Sequence, residues 1–459
     1  MGHIQRFPTS TKSVATNPLK MSQPIGAALA FLGMDRSLPL FHGSQGCTAF
    51  GLVLLVRHFR EAIPLQTTAM DQVSTILGGY ENLEEALKNI DERMKPALIG
   101  VATTGVTETK GEDLAGHLAT FRQRNPTLAH LNLVFVNTPD FAGGFEDGFA
   151  AAVTGIVEAF AEPSRSTVKG QVNILAGCHL TPGDVEEIRD IVESFGLTPI
   201  ILPDLSLSMS GRQPDDFTPT SLGGTTIDQV RAMGQSEATL VLGEQMRTAA
   251  AALELKTDVR SLFFDRLTGL EVSDRFIRAL AEISGRPVPA RLRRQRESLV
   301  DAMLDGHFYT ARKRVVVALE PDLLHAVTGF LADLGAQVVG AVSPTQAPVL
   351  EKLRAGTVMV GDHTDAEALA DGCDLIISNS HGRQGAARAG VELFRMGLPQ
   401  FDRLGAGLTV SVGYRGTRDL LFALANRFLA QETEHHADHD ADGGGHDCHG
   451  GGGCGCSAG

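Results

Sequence analysis

The stretch His42-Gly43-Ser44-Gln45-Gly46-Cys47 sets a single thiol behind a glycine-bracketed turn. From Thr48 to Phe59, apolar side chains at 50, 52, 53, 55, 56 and 59 follow a helical pattern. A thiol at a helix N-terminus faces unpaired N–H groups and the positive end of the macrodipole, which favour thiolate. Cys47 therefore suits a reactive nucleophile or a metal ligand, and equally a small residue filling a tight turn. An iron–sulfur cluster usually needs four thiolates and a zinc site several ligands, and the chain has no CxxC outside its C-terminus. A cluster on Cys47 would need a second chain to supply the remaining ligands.

The other donors are less concentrated. Cys178 and Cys373 flank apolar runs and read as structural residues, while His42, His179 and His381 read as hydrogen-bonded turn residues. After Gln431 the composition changes to nine glycines, five histidines and three cysteines, with no Lys or Arg. His435, His436, His439, His446, Cys448, His449, Cys454 and Cys456 are the donors there, and imidazoles and thiols suit Zn²⁺, Ni²⁺ or Cu⁺. The bland reading is a solvated acidic segment that binds metals incidentally. No G-x-G-x-x-G follows an expected strand, and no G-x-x-x-x-G-K-[ST], G-x-S-x-G or H-E-x-x-H occurs.

The elements that would position Cys47 alternate in type. Expected strands are 98–102, 131–136, 172–176, 199–202, 239–242, 261–264, 314–319, 337–342, 357–360, 374–378 and 408–412. Most are unbroken Val/Ile/Leu runs, as in parallel sheets covered on both faces. Helical patterns lie between them, with capping-box spacing at Thr109/Glu112 and Thr364/Glu367. Segments 173–202 and 316–342 repeat one plan: strand, Pro182 or Pro321 at a helix start, then Gly196 or Gly335 at its stop. The fold class is thus α/β, with three Rossmann-like doubly wound parallel-sheet domains at 20–165, 166–300 and 301–431. Residues 1–19 form an arm, the basic segment 290–304 bridges the last two domains, and 432–459 is expected to be a disordered tail.

Bulk composition excludes several classes. The 459 residues are 43% hydrophobic and 20% charged, enough for a sizeable core. A net charge of −14, no Trp and only three Tyr argue against nucleic acid and anionic membranes as partners. The N-terminus shows no apolar signal region, and six cysteines in a chain this long do not make a secreted disulfide framework. A cytoplasmic protein is expected.

Several longer stretches are recognisable. NPLKMSQPIGAALAFLGMDRSLPLFHGSQGCTAF (17–50), RHFREAIPL (57–65), ATTGVTETKGEDL (102–114), HLTPGDVEEI (179–188) and ISNSHGRQGAARAGVELFRMGLPQFDRLGAG (377–407) resemble the nitrogenase molybdenum–iron protein β-subunit family. Catalytic members carry three cysteines for the eight-iron P-cluster; here one matches Cys47, while the others fall at Ser22 and Gly105. The likeness is greater to the members that serve on the cofactor-assembly scaffold. It implies that Cys47 is one ligand of a [4Fe–4S] cluster, with three cysteines from a NifE-type subunit in a heterotetramer. It further implies that the complex, mainly through the partner, holds an iron–molybdenum cofactor precursor received from a NifB-type donor. The nitrogenase Fe protein would assist maturation, and the apo molybdenum–iron protein would accept the product. The role implied is assembly rather than turnover; the competing reading is a catalytic β-type subunit of a nitrogenase-like reductase.

Overall fold

A computed structural model describes residues 6–12, 14–209, 211 and 218–442, with side chains to Glu432. Among the described residues, thirteen strands form three wholly parallel sheets. The first holds β1 (Ser37–His42), β2 (Gln66–Thr67), β3 (Leu98–Thr103) and β4 (Leu133–Val136), ordered β2-β1-β3-β4. The second holds β5 (Gln171–Ala176), β6 (Thr198–Leu202), β7 (Ala238–Leu242) and β8 (Ser261–Phe264), ordered β6-β5-β7-β8. The third holds β9 (Arg314–Ala318), β10 (Gln337–Ser343), β11 (Thr357–Val360), β12 (Leu375–Ser378) and β13 (Glu392–Arg395), ordered β11-β10-β9-β12-β13. Every residue of β1, β3, β7 and β12 is buried, which is why these strands are written without polar alternation.

The internal repeat is realised in full. Helix Pro182–Ser194 joins β5 to β6, and helix Pro321–Asp333 joins β9 to β10. Each begins on its proline, whose fixed φ suits the first turn and whose missing N–H would be unpaired anyway. Each is followed by a glycine in the left-handed region, Gly196 at φ +69° and Gly335 at +80°.

Local competition explains where the sequence misleads. Thr109 lies inside helix Gly105–Lys110, and Asp113 caps the next helix, Leu114–Arg124, by accepting from Gly116 N–H at 3.0 Å. Asp362, not Thr364, caps helix His363–Leu369, accepting from Thr364 N–H at 2.8 Å. In both cases a nearby carboxylate takes the free N–H groups. The expected strand at 408–412 is loop, because Ser411 N–H donates to the Asp184 carboxylate at 2.6 Å instead of to a ladder. Strand β1 escaped notice because Pro39 reads as a breaker; β2 pairs only with Leu40 and Phe41, so Pro39 has a strand neighbour on one side alone.

The last helix runs Gly413–Asp442, past Gln431. Residues 432–442 contain no Gly or Pro to stop it, and the glycine run begins only at Gly443. His435, His436 and His439 fall on this helix, whereas His446, Cys448, His449, Cys454 and Cys456 lie outside the described residues. The basic segment is helix Ala290–Thr310, packed along this final helix and leading into β9. Among the described residues, no helix is long and apolar enough to cross a membrane.

Candidate functional site

Because the four strands of the first sheet run parallel, their carboxyl ends share one edge, and the turns leaving that edge build the site. Strand β1 ends at His42, and the chain enters helix Gln45–Phe59 with Ser44 as N-cap. Cys47 is the third residue of this helix rather than the residue before it, and it is exposed. The Ser44 hydroxyl makes no capping bond; it lies 3.6 Å from the Cys47 sulfur. The first turn carries no acidic residue. A thiol here meets uncapped N–H groups and the positive helix end, with no carboxylate competing.

The same helix buries Gly51, Leu54 and Leu55 but leaves Phe50 66% and Val53 51% exposed. Beyond β2, helix Gln72–Leu77 buries no residue and exposes Val73, Ile76 and Leu77; beyond β4, Phe141 is exposed. Exposed apolar residues thus recur on the elements that leave this edge.

Ser22 and Gly105 are brought to the same corner. Ser22 is the N-cap of helix Gln23–Leu32, and Gly105 opens helix Gly105–Lys110. Asp140, from the loop after β4, accepts backbone hydrogen bonds from both Gln23 and Gly105. Burial raises the Asp140 carboxyl above its ordinary value, against these two bonds and the nearby Lys20. Thr104 and Thr107 hydroxyls donate to the His42 carbonyl at 3.0 and 3.2 Å, locking the end of β1 to the end of β3. A Cβ on Gly105 would lie 3.6 Å from Asp140, ordinary contact, so the missing cysteine is not a steric exclusion.

A cavity of about 540 Å³ lies apart from this edge, lined by Cys178, His179, Asp184, Glu320, Arg403 and Arg415 among others. Burial pushes the Cys178 thiol well above its usual value and lowers His179 to about 4. Both line the cavity as neutral groups, and Cys373, half-buried, donates to the Leu369 carbonyl at 3.6 Å. Burial and the neighbouring Asp147 push Glu320 up to about 8, with Lys20 opposing. A carboxyl raised above its unfolded value of about 4.5 contributes stability that is full below that pH and lost as pH rises through about 8. Glu320→Gln is therefore expected to stabilise the chain by on the order of 1–3 kcal/mol at pH 8.5 and to change little at pH 5. Denaturant melts at the two pH values check this; a gain that does not grow with pH contradicts the burial argument.

Comparison with known proteins agrees with this architecture. The family model described as "Nitrogenase component 1 type Oxidoreductase" matches residues 22–429. The chain belongs to the nitrogenase component 1 family. It is 52% identical over 429 residues to the nitrogenase iron-molybdenum cofactor biosynthesis protein NifN of Bradyrhizobium diazoefficiens, covering 92% of each chain. The proteins of that name from Nostoc sp. and Klebsiella pneumoniae are 49% and 41% identical, covering 92% and 93% of this chain and 95% and 94% of theirs. Among solved structures, a chain of "Nitrogenase Cp1 at pH 6.5" superposes with a TM-score of 0.87 at 31% identity, covering 93% of this chain and 96% of that one. In this nitrogenase component 1 member, Asp140 lies beside both Gln23 and Gly105, and the Gly43 turn that leads to Cys47 packs against Thr104, whereas Cys178 lines the separate cavity. Asp140 was invisible beforehand, since nothing in TPDFAGG marks a carboxylate that ties two distant turns together.

Proposed function

We propose that this chain is a scaffold subunit for assembly of the nitrogenase iron–molybdenum cofactor. It pairs with a NifE-type subunit and contributes Cys47 as one of four thiolate ligands to a [4Fe–4S] cluster at their interface. The observation that carries this reading is one exposed thiol, on an uncapped helix start, at an edge rimmed by exposed Phe50, Val53, Ile76 and Leu77. The residues fit a share of such a cluster and not the whole of one. The resident cluster would supply one-electron redox capacity or structural cross-linking. The chain's part is to present the sulfur, place N–H dipoles toward its negative charge, and exclude water once the apolar rim is covered. The names of the relatives support a role in cofactor biosynthesis; in the proposed scheme the precursor would come from a NifB-type donor, the Fe protein would assist, and the apo molybdenum–iron protein would receive the product.

The test is purification of the chain alone and together with its NifE-type partner. Iron analysis is expected to give about four irons per pair and close to none on the isolated chain, with broad visible absorption appearing only in the pair. A stoichiometric cluster on the isolated chain, or a pair without one, would overturn the shared site.

The rival reading, a catalytic β-type subunit, predicts dinitrogen reduction. With serine at 22 and glycine at 105, a half-share of a P-cluster lacks two of its three thiolates. The purified wild-type complex supplied with Fe protein and nucleotide is expected to form no ammonia above background. Robust ammonia formation would place the chain among the catalytic subunits instead.

A further inference from the structure

We infer that His42, Glu112 and His117 form a binding site for a single divalent first-row metal ion of the Zn²⁺ or Fe²⁺ class, separate from the Cys47 thiol. The three donor atoms lie within 4.8 Å of one another. They come from the end of β1, the turn after helix Gly105–Lys110, and the first turn of helix Leu114–Arg124. The inference does not depend on the function proposed above.

The geometry around His42 and His117 carries the argument. The Nδ1 of His42 lies 3.1 Å from the Thr68 hydroxyl oxygen, and that hydroxyl donates to the Gly43 carbonyl at 3.4 Å. The tautomer with its proton on Nδ1, directed at the Thr68 oxygen, frees the Nε2 lone pair to ligate. That lone pair faces the Oε2 of Glu112 at 2.8 Å. A proton on Nε2 or a metal cation can lie between these two atoms. A proton would satisfy that pair alone. His117 Nδ1, however, is buried 4.0 Å from the same carboxylate oxygen and has no hydrogen-bond partner among the described residues. A divalent ion at about 2.0–2.2 Å from each donor serves all three after a small inward shift of the His117 ring.

The surroundings suit a metal site. The other oxygen of Glu112 accepts from Gly79 N–H at 2.9 Å and lies 3.8 Å from the Lys110 ammonium, while Thr68 fixes the His42 ring. Gly79 is required there, since a Cβ on it would meet His42 Cε1 at 2.6 Å and Met70 Sδ at 2.8 Å. His42 is fully buried, Glu112 is 4% exposed, and His117 at 21% forms the mouth. Two imidazoles and a carboxylate leave further positions open to water, a donor set that suits Zn²⁺ and non-haem Fe²⁺.

The test uses the full chain paired with its partner, dialysed against chelator and then exposed to Zn²⁺ alone. Crystals soaked in Zn²⁺ should give an anomalous peak at the zinc edge between the three donors. Equilibrium metal analysis should show His117→Ala and Glu112→Gln each losing one equivalent per chain, or binding it at least about tenfold more weakly. Should Glu112→Gln fail to fold, His117→Ala still decides, because its ring sits at the mouth; circular dichroism verifies that variant. Unchanged stoichiometry and affinity in His117→Ala, or zinc peaks confined to Cys47 and the C-terminal segment, would overturn the assignment.

Discussion

Cys47→Ala is expected to strip the [4Fe–4S] cluster from the paired complex while leaving this chain folded. The Cys47 sulfur approaches the Ser44 hydroxyl at 3.6 Å and is otherwise exposed, so no packing depends on it. Alanine also suits the third position of a helix. Melts of the isolated chain should therefore shift by no more than about 0.5 kcal/mol. Iron in the pair should fall from about four atoms to near zero, because the three remaining thiolates cannot close the coordination of a fourth iron. Cys47→Ser separates charge from sulfur: an oxygen ligand should hold a weakened cluster. Full iron content in Cys47→Ala would mean that another group of this chain or its partner is the fourth ligand.

Gly148→Val should be the most damaging single substitution away from the site. Helix Phe145–Phe160 crosses helix Gln23–Leu32 with backbone against backbone. A Cβ on Gly148 would lie 1.9 Å from the Gln23 carbonyl oxygen, and one on Gly26 would lie 1.9 Å from the carbonyl oxygen of Phe145. Neither contact can be relieved by a side-chain rotation. The helices must part, opening a core that includes Phe31, Phe149, Val153 and Ile156. A loss of about 3–5 kcal/mol is expected, seen as a lower denaturant midpoint or as loss of soluble chain. Gly46→Ala is the contrast, since a Cβ there meets nothing within 4 Å and should be neutral or stabilising by up to about 1 kcal/mol. Equal damage from both would mean that the helix crossing is not what the glycines serve.

Much of this architecture was legible because parallel strands buried on both faces are written as unbroken apolar runs. The repeat at 173–202 and 316–342 was readable through Pro182, Pro321, Gly196 and Gly335, whose backbone requirements are local. What escaped was decided at a distance. Ser411 looks like part of a strand until Asp184, 227 residues away, claims its N–H. Glu112 looked like a capping partner for Thr109, yet its carboxylate belongs to His42 and Gly79. Cys47 could be singled out as a lone thiol between turn residues and a helical pattern. The surface around it could not be, since Phe50 and Val53 look like core until the helix is seen to turn them outward.

The final helix carries a mechanical consequence. Near its start, Thr417 accepts from Gly269 N–H at 3.0 Å, Tyr414 donates to Asp274 at 2.7 Å, and Arg415 pairs with Glu187, all beside the second sheet. Some ten residues on, Arg427 pairs with Glu392 at 3.0 Å, Gln431 donates to the Asp374 carbonyl at 3.1 Å, and Glu432 pairs with Lys313 at 3.0 Å, all beside the third. A helix pinned at both points ties the two sheets together and so stiffens them against hinging. The stretch from Gly405 to Gly413, both at positive φ, forms part of the cavity wall and is pinned there by Ser411 N–H on the Asp184 carboxylate.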